Sequence, residues 1–471
     1  MLILWTAVQV VLTAFLARKA FTYFSGKHHL VEQELHAKYG PVVRTGPTSL
    51  SFSNLSDFEA IYGFNKAIEK GDFYSFGRDR ATQAGSIFSA RTDAEHREHK
   101  RRVVGPALTS KSVATYAPLI SKNVAIFLDR LEEACTSGKE GSAVNVAPDI
   151  HRFTFDTLMD IIYGEALSSQ PWTSTPASRG VLDAFRKMSI ASWGTAMVPW
   201  LSRLLARPPI ARRLRGPTYD ENGNLTGVSA LAARSSAIIF GKADVILETQ
   251  QPSIAKAFLA VPDSDPTHMK ADEVWRQCFN LTFAGPGSTA AALTAVLHQL
   301  GTAKGRQWQD RIHNAGIPTA SSSIAFTAVF KETLRLHAPF PTAFPREIAP
   351  GGEHAIPSLP AALPVGTLVS ANTYVLGRSP ALWGADAAEW KPERWLVDDA
   401  SERRALDDKF VAFSKGARSC IGRDIATVMI ERAVCAVLER WEVRAKGPLR
   451  GLSYLEMRYD HCDLVLGLRA S

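Results

Sequence analysis

The chain has 471 residues, 46% of them hydrophobic, which is enough apolar side chain to bury a large core and too much for a disordered chain. Its net charge of +8 is spread along the sequence rather than gathered in a tail, so an acidic partner or a membrane surface fits better than nucleic acid, for which no partner role is expected. The five cysteines, Cys135, Cys278, Cys420, Cys435 and Cys462, form no CxxC pair and leave one over, which argues against a zinc site or a disulfide framework and for reduced thiols.

The first elements lie at the N-terminus. MLILWTAVQVVLTAFLA, residues 1–17, is uncharged and apolar, and Arg18 and Lys19 follow at once. As a helix it reaches roughly 25 Å, a little short of a bilayer core, and snorkelling of the two cations or local thinning closes the difference. Positive charge on the C-terminal flank alone keeps the rest of the chain cytosolic. A cleaved signal peptide is the rival reading, but it would carry a basic segment before the apolar run, and there is none. The N-x-S/T triplets at Asn54, Asn224 and Asn280 then never meet the glycosylation machinery. The expected organisation is an anchor over 1–17, a shortened linker over 18–38 and one globular body over 39–471.

Within that body, YGPVVRTGPTSLSFS (Tyr39 to Ser53) alternates β-branched residues with turn formers and reads as a hairpin. HREHKRRVVGPAL reads as a basic helix whose charges face solvent. YAPLISKNVAIFLDRLEEAC and FTFDTLMDIIYG repeat apolar residues at three and four positions, as buried helices do. The interval from Ser168 to Asp265 is richer in proline, glycine and polar residues, includes YDENGNLTG as a turn signal between helical patches, and is where mobile loops are expected. A long helix from about Asp272 to Leu300 contains FAGPGSTAAAL. There Pro286 removes a backbone bond and crowds the carbonyl of Thr282, so a kink is expected. In FKETLRLHAPFP, Glu332 and Arg335 stand three apart on one helical face, where an ordinary ion pair is the simplest meaning. Glycine, proline and β-branched residues return between Ile348 and Thr373, as a small sheet requires.

The segment FSKGARSCIGRD, Phe413 to Asp424, carries the chemistry. IGRDIATVMIERAVCAVLERW after it is an amphipathic helix, so Cys420 sits at a helix N-terminus. Free amide N–H groups, the helix dipole and the nearby Arg418 and Arg423 favour a thiolate there. Gly416 permits a tight turn and Gly422 lets a flat group approach the backbone. Such a thiolate is a nucleophile or a metal ligand, and no histidine within the loop stands ready as the base a nucleophile needs.

Phe413, Gly416, Arg418, Cys420 and Gly422, in the spacing FxxGxRxCxG, resemble the haem-binding signature of the cytochrome P-450 family. The resemblance implies a mainly α fold with a minor β portion, with haem b (iron protoporphyrin IX) held between the long kinked helix and the cysteine loop. Cys420 would be its axial iron ligand, a thiolate that pushes electron density toward the iron. Phe413 would pack over the sulfur, and Arg418 would reach a propionate. Glu332 and Arg335 resemble the family's ExxR element, and EWKPERWL resembles its PERF-like segment, so Arg394 would join them in a buried structural network. In FPREIAP, Arg346 corresponds to a second propionate partner. HREHKRRVVGPAL resembles the family's C-helix, with Arg101 as the first candidate for a further propionate contact and Arg102 next.

AGPGST resembles the oxygen-binding element AGx(D/E)T(T/S). Ala284, Gly285, Ser288 and Thr289 match in kind, while Gly287 stands where the family has an acid. Reducing dioxygen consumes protons, so Ser288 and Thr289 are read as a hydroxyl relay whose proton source lies outside this helix or is water. The resemblance covers nearly all of the chain from Tyr39 onward and is strongest to fungal microsomal members of specialised metabolism. It implies a monooxygenase of the endoplasmic reticulum membrane, inserting one oxygen atom from O2 into an apolar small molecule with electrons from NADPH through a cytochrome P-450 reductase. A non-oxygenating isomerase or dehydratase on the same haem-thiolate centre, and a haem-binding sensor or carrier without turnover, are the alternatives. Such proteins place a proline-rich hinge and an additional helix ahead of the first hairpin, and the segment TYFSGKHHLVEQELHAK looks too short for both.

Overall fold

The architecture was obtained as a computed structural model, which describes residues 21–64, 68–77, 85–137, 141–164, 227–316, 322–351 and 354–469, with three isolated positions between 165 and 226. The apolar run at 1–17, the turn signal at 219–224 and most of the proline-rich interval fall outside these residues. No described helix is long and apolar enough to cross a membrane.

Two helices make the centre. Ala147–Tyr163 buries nearly every side chain from Phe153 onward, and Pro286–Gly301 buries Thr289 through His298. The second can be enclosed because its middle is alanine-rich, which lets neighbouring helices approach closely. Around the pair pack Ala117–Thr136, Ile324–Leu336 and Arg423–Arg440, forming one continuous apolar core that includes Phe127, Phe153, Leu293, Val329 and Val434. The amphipathic patterns in the sequence therefore face where the period of 3.6 puts them.

The expected kink is a break. One helix ends at Ala284 and the next begins at Pro286, with Gly285 between them at φ −91°, ψ −53°. Pro286 occupies the first position of the second helix, where a missing N–H costs nothing. Bonds from Gly285 N–H to Leu281 O (3.1 Å) and from Thr289 N–H to Gly285 O (3.1 Å) carry the helical direction across it.

The β portion is small, as expected. β1 (Val42–Gly46) and β2 (Ser49–Phe52) are the hairpin. With β3 (Ile68–Lys70), β5 (Arg346–Ile348) and β6 (Leu368–Ala371) they form a sheet in the order β1-β2-β6-β5-β3, in which β2 and β6 run parallel. β4 (Val144–Asn145), β7 (Trp441–Ala445) and β10 (Asp463–Leu468) form a second sheet, and β8 (Leu452–Ser453) pairs with β9 (Met457–Arg458) in a third.

The segment read as a shortened linker contains a helix, His28–Tyr39, seated beside β1. Its buried positions are His28, His29 and His36 rather than aliphatic residues, so no apolar period announced it. At the C-terminal end of the interval from Ser168 to Asp265, after the turn signal, Gly227–Gly241, Ala243–Glu248 and Ile254–Leu259 are helices.

Candidate active site

The cysteine loop is closed by the Cys420 N–H, which donates to Phe413 O at 2.9 Å, and it turns through Ser414 and Gly416, both at positive φ. Gly416 has no alternative. At φ 71° a Cβ would also fall 2.5 Å from Tyr62 O and 2.6 Å from Gly63 O, so the loop and the helix Leu55–Tyr62 meet backbone to backbone. Phe413 packs edge-on against Phe410 and tilted against Phe330. The helix Arg423–Arg440 then starts just beyond the sulfur.

Cys420 combines two properties that seldom coincide. Its side chain is open to solvent, yet protein surrounds it closely enough that burial is the main influence on its thiol, pushing the pKa up. It therefore sits in a recess. The backbone N–H groups of Gly422 and Arg423 and the charge of Arg423 act the other way, as expected at a helix N-terminus. A Cβ on Gly422 would meet only the sulfur, at 3.9 Å, so that glycine is not demanded by protein packing.

Behind the loop lies a cluster of buried cations. Lys70, Arg346 and Arg418 are each nearly inaccessible, and each stands within electrostatic reach of the others. Arg418 donates to Ala90 O (2.8 Å), Arg91 O (2.7 Å) and Asp93 (3.1 Å). Arg346 bonds the Tyr74 hydroxyl and lies over the Tyr62 ring. Lys70 donates to Phe88 O (2.6 Å). Burial and like charge both hold Lys70 well below its ordinary pKa and lower Arg418 as well. One carboxylate, Asp93, pairs directly with this trio among the described residues, leaving positive charge in excess.

The helix Asp93–Ala107 contributes to the same place with residues that sequence reasoning missed. His96 Nε2 and Lys100 Nζ both reach Ala417 O, at 3.2 and 2.9 Å. Arg101, the expected propionate partner, points elsewhere: it is exposed and pairs with Glu98 at 3.0 Å. Arg102 pairs with Glu98 and Glu273. The inward face of this helix was legible in the sequence, since Val103 and Ala107 mark its core side and His96 and Lys100 continue that stripe at three and four residues, whereas Arg101 is turned away.

At the helix break Ala284 is exposed, and Ser288 Oγ donates to Ala284 O (2.9 Å) and Gly285 O (3.2 Å). Thr289 is buried on the core side. Away from the recess, Glu332 and Arg335 are buried and joined by two bonds of 2.9 and 2.7 Å. Arg335 also donates to the carbonyls of Gly377, Ala387 and Glu389, and Glu332 accepts from Lys391 N–H and Trp395 Nε1. Arg394 lies 3.6 Å from Glu332 and pairs more closely with Asp386, at 2.9 Å.

A recessed thiol at a helix N-terminus beside a surplus of buried cations fits a flat iron macrocycle bearing carboxylates, which is the haem-thiolate class. The family model for cytochrome P450 matches residues 6–449, and the chain belongs to that family. It is similar to a cytochrome P450 monooxygenase of Aspergillus terreus, 27% identical over 438 residues, or 89% of this chain and 86% of that one. It is also similar to the pisatin demethylase of Fusarium vanettenii, 26% identical over 432 residues, or 89% and 79%. A crystal structure of a cytochrome P450 superposes with a TM-score of 0.72 at 18% identity, covering 94% of each chain. The chain is accordingly a haem-thiolate monooxygenase, mainly α with a small β portion.

Proposed function

We propose that the protein is a microsomal enzyme of specialised metabolism that hydroxylates or otherwise oxygenates an apolar small molecule, taking electrons from NADPH through a separate cytochrome P-450 reductase. The observation that carries this reading is Cys420: a thiol open within a recess, flanked by amide N–H groups, with more buried positive charge behind it than protein carboxylate to match. When bound there, haem b supplies the oxidising chemistry. Cys420 would hold the iron, and Arg346, Arg418 and Lys100 would hold the carboxylates through charge-assisted bonds. Phe413 and Gly416 fix the loop, and Gly422 keeps the backbone bare beside the sulfur. Ser288 presents a hydroxyl at the helix break, where a proton can be passed. The exposed Ala284 is small enough to leave the recess open to substrate. The relatives are fungal monooxygenases, which supports a specialised metabolite as substrate. The uncharged run at 1–17 supports an anchor in the endoplasmic reticulum membrane with the body cytosolic.

The test is twofold. Reduced protein with carbon monoxide should give the red-shifted absorption band of thiolate ligation, and Cys420→Ala should lose that band or lose haem. With reductase, NADPH and O2 should be consumed in step with product. An unchanged band in the variant would refute the ligand assignment, and absence of O2 consumption with any apolar substrate would refute oxygenation.

A further inference from the structure

Gly287 stands where the family's acid is expected, and the structure fills that place from elsewhere. A Cβ built on Gly287 would lie 2.6 Å from Glu456 Oε2 and nearer still to Oε1 and the carboxyl carbon. The Glu456 carboxyl therefore rests directly against the backbone of the helix at position 287, in the space a side chain there would need.

Glu456 reaches this point from the tip of the β8–β9 hairpin, nearly 170 residues later in the chain. The tip is held on all sides. Ser453 N–H donates to Gly26 O (2.8 Å), Thr342 Oγ1 to Leu455 O (3.0 Å), Met457 N–H to Pro339 O (2.7 Å) and Tyr454 N–H to Glu456 O (3.2 Å). Leu455 is kept at φ 146°, a conformation a residue with a Cβ rarely adopts unless its surroundings impose it. Beneath the hairpin, Ala291 and Ala295 pack against Met457 and Tyr459, so Gly287, Ala291 and Ala295 form a stripe of small residues on which it lies.

Despite this firm backbone, the Glu456 carboxyl accepts no hydrogen bond from the described residues. Burial pushes its pKa up to about 7, with Arg458 the one charge opposing. Arg458 is itself paired with Asp460 at 2.7 Å. From the elements packed against the carboxyl, the helix brings Gly287 and Ser288, the 339–342 segment brings no titratable group, and the hairpin brings Tyr454 and Tyr459, the latter held protonated by burial. His337, bonded to Tyr459, is kept neutral, its pKa pushed down to about 3 by burial. A carboxylic acid that is positioned, unpartnered and half protonated near neutrality is suited to give and regain a proton.

We propose that Glu456 is the proton donor of this enzyme, replacing in space the acid that Gly287 lacks in sequence, and that Gly287 is glycine because Glu456 needs the room. The inference rests on the monooxygenase reading above. The overall change is RH + O2 + 2 electrons + 2 H+ giving ROH + H2O, with both electrons from NADPH through the flavoprotein reductase. Each proton leaves the Glu456 carboxyl, by way of water or Ser288 Oγ, for the oxygen atom that departs as water. The carboxylate then takes a proton back from solvent water.

The first arm of the test needs no turnover. Gly287→Ala should lower the melting temperature of the parent protein, and the loss should largely disappear in Glu456→Ala, where the added methyl has space. An equal loss in both backgrounds would place Glu456 elsewhere and overturn the proposal. The second arm measures product and hydrogen peroxide per NADPH. Glu456→Gln should keep the carbon monoxide band of thiolate ligation and continue to oxidise NADPH, with the product yield falling about tenfold or more as peroxide rises. Glu456→Ala combined with Gly287→Asp, which returns the acid to the helix, should recover much of the yield. Unchanged coupling in Glu456→Gln beside a productive parent overturns this inference and leaves the monooxygenase reading intact. A parent that consumes no O2 overturns both.

Discussion

The protein holds two clusters of buried charge, and they are built differently. Around Glu332 and Arg335 every charge is answered within the protein: the guanidinium has its carboxylate and three carbonyls, and the carboxylate has an indole and a backbone N–H besides. Around Lys70, Arg346 and Arg418 the cations press on one another, with Asp93 as the direct carboxylate partner among the described residues. The first arrangement is complete without a ligand and joins the helix Ile324–Leu336 to the segment 377–395. The second gains from an anion, because burying like charges together is costly unless something negative is brought to them. A closed network of buried ions signals a brace, and an unbalanced one signals a binding site.

Breaking the brace should have the largest effect. Arg335→Ala leaves Glu332 buried without its partner and should destabilise the fold by about 3–5 kcal/mol. Denaturant unfolding should show this with haem bound or removed. Removing a cation from the other cluster should separate binding from stability. Arg418→Ala or Arg346→Ala should weaken haem retention by roughly 10- to 100-fold, the worth of a hydrogen bond to a charged group, while the apoprotein is no less stable than the parent for want of that charge. Haem transfer to apomyoglobin measures the first and denaturant midpoints the second. An apoprotein weakened as severely as by Arg335→Ala would erase the distinction between the clusters.

A third group avoids the problem by staying neutral. Burial pushes the pKa values of His28 and His29 down to about 3 and about 4, from an ordinary 6.5. The folded values lie below the unfolded ones, so the unfolded chain takes up protons first. Their contribution is complete above pH 6.5 and is lost as the pH falls through that value toward 4. Unfolding midpoints across this range should decline, and His28→Phe should flatten the decline. The smallest effect belongs to Arg101. Its exposed pair with Glu98 predicts that Arg101→Ala changes stability by less than about 0.5 kcal/mol and leaves haem retention unaltered, whereas Lys100→Ala lowers retention.

How much of this was legible differs by element. The cysteine loop could be read residue by residue, because a tight turn, a helix start and a thiolate each demand particular side chains at fixed short spacing. The Glu332–Arg335 pair was legible for the same reason. The expected C-helix candidate, Arg101, faces solvent: attention to the arginines outweighed the stripe of His96, Lys100, Val103 and Ala107, although that stripe shows which side faces inward. The helix at His28–Tyr39 was missed because its inward residues are histidines, which carry no apolar signal.

The sequence by itself determined the fold class, the cysteine loop and the position of the helix break, since all three follow from local chemistry within a dozen residues: glycine at positive φ, proline at a helix start, apolar residues at helical period. Its resemblance to the cytochrome P-450 family also marked Gly287 as standing where an acid is usual. Only the tertiary structure decided what stands there instead. Glu456 lies on a different element, it is a single carboxylate among the 46 acidic residues of the chain, and nothing local to it mentions the helix. The two meet because Gly287, Ala291 and Ala295 offer a surface low enough for the hairpin to lie on, a match of shapes that neither segment encodes alone.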